Sequence, residues 1–115
     1  MRMEIVDLAD GLVNVTLVGR LDALEVQRIE ADLVARIVPR GARAIVDLSR
    51  LDFISSMGLR MFTTIAREVA RNNGKLVLYS PQPWVNVIFT TAELHSVIPV
   101  CADAASAAVR ARATT

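Results

Sequence analysis

A chain of 115 residues fits one domain, 1–115, with a real core, and 53% hydrophobic against 4% aromatic content makes that core aliphatic. The formal charge of +1, with scattered arginines, gives no reason to expect nucleic acid or an anionic membrane as partner. One cysteine, Cys101, excludes an internal disulfide and CxxC metal sites, and no run nears the roughly 20 apolar residues of a membrane span. The start, "MRMEIVDLADG", has no long apolar segment of a secretory signal, so the expectation is a soluble cytoplasmic domain.

In chain order, "MEIVDL" and "VNVTLVG" read as two strands joined by a hairpin turn at Ala9-Asp10-Gly11. Val13, Val15 and Leu17 alternate with Asn14 and Thr16, the period of a half-buried strand. Asp22 is placed to cap a helix, in which Val26, Ile29, Leu33 and Ile37 recur at helical spacing. Pro39-Arg40-Gly41 stops it. In "ARAIVDLS" the run Ala44-Ile45-Val46 is continuous, as expected for a central strand covered on both faces.

The stretch "LDFISSMGLRMF" comes next: after the buried strand a short connector leads to two serines, and a helix runs from about Leu59 to Asn73. Leu59, Phe62, Ala66, Val69 and Ala70 are expected on its core side. Met57 and Met61 fall on nearly the opposite arc with Thr64 and Glu68, and Arg60, Arg67 and Arg71 flank them. Asn72-Asn73-Gly74 ends the helix. "KLVLYS" is a strand, and "PQPWVNVIFTTA" a loop and short helix with proline at its first turn. "SVIPV" is an edge strand, because Pro99 removes a ladder donor. "DAASAAVRARA" is a last helix with Asp103 at its positive end, and Thr114-Thr115 a frayed tail. Trp84 and Phe89 are expected to cover the sheet, and Cys101 to be a buried thiol near the last strand. The fold class is α/β, a mixed sheet in the order ββαβαβαβα with helices packed on it.

Ser55 and Ser56 thus open a helix whose first N–H groups have no intrahelical partners. A serine cap, worth about 1 kcal/mol, explains one of them well and the second loosely. Two outward methionines beside them form a small adaptable apolar patch, suited to a partner. Catalysis by serine would need a base, and His95 is the one histidine, in a plain "ELHS" context. "FISSMGL" is not the G-x-S-x-G elbow either, so no enzyme is expected. A phosphate acceptor fits better. A phosphoryl group adds about −1.5 to −2 charges, and a helix N-terminus tolerates them without loss of the fold. No carboxylate spacing resembles a metal site, and no cofactor is called for.

The segments "LVGRLDA" (17–23), "AIVDLSRLDFISSMGLRMF" (44–62) and "GKLVLYSPQPWVNVIFTTAEL" (74–94), in this element order, resemble the STAS domain family. The likeness is to its single-domain bacterial anti-sigma-factor antagonists, and it covers nearly the whole chain. It implies a domain that binds an anti-sigma factor, itself a serine kinase of the GHKL-type ATPase fold, and so frees the sigma factor. Phosphorylation of one serine ends binding, and a PP2C-type phosphatase restores it. The family motif places the acceptor two residues before the glycine, so Gly58 sets the register and Ser56 is the acceptor. Ser55 stands where many members carry Asp, and is a cap or hydrogen-bond neighbour. Asp22 matches the family's aspartate after the second strand, near the phosphoserine corner. Met57, Arg60 and Met61 fall on the helix face offered to the kinase. The expected contact set is therefore Asp22, Ser55, Ser56, Met57, Gly58, Arg60 and Met61, on a chain that is a monomer when free. The alternative is a STAS scaffold in a sensing complex or lipid-transport ATPase, with Ser56 never phosphorylated and serving only as a cap.

Overall fold

The computed structural model describes residues 1–113, so the expectation for the 114–115 tail lies outside the described residues. Strand β1 (Arg2–Asp7) and β2 (Leu12–Leu21) are antiparallel, joined through a single 3-10 turn at Ala9–Gly11. Helix α1 (Ala23–Ile37), strand β3 (Arg43–Ile54), helix α2 (Ser56–Arg71) and strand β4 (Lys75–Tyr79) follow. Helix α3 (Pro83–Thr91), a short 3-10 turn, strand β5 (Val100–Cys101) and helix α4 (Ala104–Arg112) complete the chain. The sheet runs in sequence order, β1-β2-β3-β4-β5, with β2 to β5 parallel. The order ββαβαβαβα therefore stands.

A strand can bury both faces only if both sets of alternate residues are apolar. In β3, Ala44, Val46 and Leu48 face one cluster and Ile45 the other; in β4, Leu76 and Leu78 divide from Val77 and Tyr79 in the same way. On the first face α1 contributes Val26, Leu33 and Ile37, α2 contributes Met61, Phe62, Ile65 and Val69, and α3 contributes Val85 and Phe89. On the second, α4 lays Ala107 and Ala111 against Leu12, Ile45, Val77 and Tyr79. Alanine at both positions lets this helix lie close to the sheet. Arg43 holds its far end, donating from Nη1 to the carbonyls of Ala111 (2.7 Å) and Ala113 (2.9 Å). Tyr79 donates its hydroxyl to Asn14 Oδ1 at 2.7 Å. Burial, with Asp47 nearby, pushes its phenol above the ordinary range.

Several expectations need correction. β3 continues to Ile54, with no connector before the serines. Its second half pairs with β2 alone across two register shifts, at Thr16/Val18 and Gly19/Arg20, which bend the pair and spoil simple alternation. β5 is only two residues long and begins after Pro99. Cys101 is half-buried, not buried. Trp84 is 44% exposed, whereas Phe89 is fully buried as expected. The core stripe of α2 is Gly58, Met61, Phe62, Ile65 and Val69, while Ala70 faces out. No helix among the described residues is long and apolar enough to cross a membrane.

Candidate partner-contact site

Parallel strands deliver the helices that follow them to one end of the sheet. At that end Arg20 and Leu21 of β2 pair with Phe53 and Ile54 of β3. The backbone then ties the next residues together, Ser55 N–H donating to the Leu21 carbonyl at 3.0 Å. The first turns of α1 and α2 consequently start side by side. Asp22 caps α1, its Oδ1 accepting from Glu25 N–H at 3.0 Å. Ser55 caps α2, its Oγ accepting from Gly58 N–H at 3.2 Å, while its carbonyl accepts from Leu59 N–H at 3.1 Å. The capping role expected of Asp22 and of Ser55 is thus present in the geometry.

With Ser55 in the cap, Ser56 has no capping work to do. It is the first residue of α2 and is exposed, with Met57 beside it 38% exposed and Arg60 exposed one turn on. The hydroxyl of Ser56 stands at the positive end of a 16-residue helix, where an added anion is favoured.

Two members of the expected contact set do not face outward. Met61 is 1% exposed and belongs to the core between α2 and the sheet. Its assignment to a partner-facing arc is overturned: the buried stripe is centred on Ile65, with Ala66 partly buried at its edge and Ala70 exposed. Gly58 is buried, and it serves the fold's own packing rather than a partner's approach. A Cβ there would lie 2.8 Å from Ile54 Cγ1 and 3.0 Å from Leu21 Cδ2, both core side chains. Glycine is what lets the first turn of α2 sit directly on the ends of β2 and β3. Gly58→Ala is therefore expected to lower the melting temperature. Overpacking costs about 1–3 kcal/mol and outweighs a helix-propensity gain of up to about 1 kcal/mol. An unchanged or raised melting temperature would show that the contact relaxes freely.

Four further residues at this end carry no periodic signal in the sequence. The Arg20 guanidinium lies 4.3 Å from the centre of the Phe53 ring. Trp84 also packs against Phe53, the two ring centres 6.1 Å apart with the planes at 33°. Gln82 anchors the start of α3 here, its Nε2 donating to the Ser49 carbonyl (3.3 Å) and to Asp52 Oδ1 (3.2 Å). Arg20 and Phe53 each stand two residues before a helix cap, which is the signal that marks them. His95, the one histidine, is exposed and lines a surface depression with Ser80, Asn86, Val100 and Cys101.

The STAS domain family model matches residues 5–107 of the chain. BtrV of Bordetella bronchiseptica, a proposed anti-sigma factor antagonist, is 34% identical over 106 residues, covering 90% of this chain and 91% of BtrV. The fold is shared with an anti-sigma factor antagonist from Mycobacterium paratuberculosis, with TM-score 0.85, 18% identity, and 97% and 94% of the two chains covered. It is shared also with unphosphorylated SpoIIAA, an anti-sigma factor antagonist of Bacillus, at TM-score 0.72, 24% identity, and 96% and 98% covered.

Proposed function

The chain belongs to the STAS domain family, and on that footing we propose that it is an anti-sigma-factor antagonist switched by phosphorylation of Ser56. Unphosphorylated, it binds an anti-sigma factor that is also a GHKL-type serine kinase, and the sigma factor is released. The kinase transfers phosphate to Ser56 and lets go, and a PP2C-type phosphatase removes the mark. The chain is substrate and ligand here, not catalyst, and it acts in the cytoplasm.

One observation carries this reading: the cap is occupied by Ser55, so the exposed Ser56 hydroxyl next to it is left without a structural duty. Charge placed there meets the helix N-terminus and leaves the core untouched. SpoIIAA, which has this fold, exists in a phosphorylated form, and that supports the reading. Likeness to BtrV over nine-tenths of both chains supports the choice of partner class. Asp22, Ser55, Met57 and Arg60 remain in the proposed contact region; Gly58 and Met61 support it from beneath.

The test is capture of partners from the source lysate on immobilised wild-type chain, with identification by mass spectrometry. A small GHKL-type ATPase is the expected catch. A transporter or a sensor assembly, with no such ATPase, would overturn the reading in favour of a constitutive scaffold.

A further inference from the structure

Leu24, Met57 and Trp84 hold the same position in three successive helices. Each is the second residue of its helix, and each is a large apolar side chain in water, at 65%, 38% and 44% exposure. All three helices pack on one face of the sheet, and their first turns gather around the Phe53–Ser55 end of β3. Helix α4, on the other face, carries Ala105 at that position.

Asp22 and Asp52 keep their charge while accepting from the Glu25 N–H and from Gln82. Arg20 and Arg60 have no carboxylate within ion-pair distance among the described residues. A complementary surface would therefore be apolar at its centre and set carboxylates opposite Arg20 and Arg60.

We infer that Leu24, Met57 and Trp84 are the three apolar anchors by which this chain grips the anti-sigma factor, with Trp84 the dominant one. This rests on the function proposed above and adds residues outside the serine corner. Trp84 is already held by Phe53, so little side-chain freedom is lost when it is covered, and Trp and Arg are the residue types that dominate interface energetics. Ser56 lies next to the middle anchor. A phosphate there places a double negative charge between apolar anchors and close to the carboxylates that would face Arg20 and Arg60, which repels the partner without moving any part of the fold.

The test is calorimetric titration of the purified, captured GHKL-type ATPase with wild type, Trp84→Ala, Leu24→Ser, Ser56→Asp and Val109→Ser. Val109, 71% exposed on α4, is the control for loss of surface apolarity as such. Trp84→Ala is expected to weaken binding about thirtyfold or more and Leu24→Ser about tenfold, with Val109→Ser unchanged. Folding is checked by melting; Leu24, the most exposed of the three, keeps the test valid should Trp84→Ala be unstable. Wild-type affinity for Trp84→Ala and Leu24→Ser, with loss only in Ser56→Asp, would overturn the three-anchor surface and leave the switch standing. Failure to capture such an ATPase at all would overturn both.

Discussion

Met61→Asp is expected to unfold the protein. The side chain is 1% exposed and belongs with Phe62 and Ile65 to the core cluster that joins α2 to the sheet. Truncation to alanine alone would cost about 2–5 kcal/mol, from lost transfer energy and the cavity left behind. A carboxylate there must also be buried without a partner or take up a proton, at several kcal/mol more. A domain of this size has about 5–15 kcal/mol to lose. Met61→Leu, which conserves volume, should cost less than about 1.5 kcal/mol. Met57→Asp, one turn earlier and on the exposed arc, should leave the melting temperature nearly unchanged and weaken partner binding instead. Circular dichroism on the three variants checks the set. A well-folded Met61→Asp would mean that α2 is rotated from the position described.

Ser56→Asp is expected to do the opposite, keeping the fold and losing the partner. Its charge sits at the first residue of α2, where the helix dipole contributes about 0.3–1 kcal/mol of stabilisation. The melting temperature should hold or rise slightly. Binding to the anti-sigma factor should fall more than about a hundredfold, the effect of about 3 kcal/mol of like-charge repulsion and desolvation at a contact centre. Ser55→Ala is the useful contrast. It removes the cap of α2, so it should cost about 1 kcal/mol of stability and leave the acceptor in place. Equal affinity of Ser56→Asp and wild type would mean that the serine corner is not the contact.

The element order was legible because the strands and caps leave strong local signals. Asp22 and Asp103 precede apolar periodic runs, and each accepts from the N–H three residues on, as a cap does. Continuous apolar residues at 44–46 mark a strand with two buried faces, and β3 has them. The phase of α2 was harder. Its sequence offers apolar residues on more than half of its circumference, so stripes through Ala66 or through Ile65 fit nearly as well; only the buried glycine, seated on Leu21 and Ile54, decides between them. The length of β3 was hidden for another reason. Ser49, Arg50 and Asp52 are exposed beyond the end of β4, and polar residues there read as a loop. The sequence points to Trp84 as a cover for the sheet, yet it sits exposed at a helix start held beside Phe53, with Gln82 hydrogen-bonded next to it. Such contacts come from tertiary placement, which periodicity does not carry.

The measurement that bears most directly on the switch is phosphosite mapping. The wild-type chain and Ser56→Ala are incubated with the captured ATPase and Mg-ATP, and intact and peptide masses are recorded. One phosphate is expected on the wild-type chain, located at Ser56, and none on Ser56→Ala. No phosphate on the wild-type chain, or one located at Ser55 or elsewhere with Ser56→Ala still modified, would rule out the Ser56 switch.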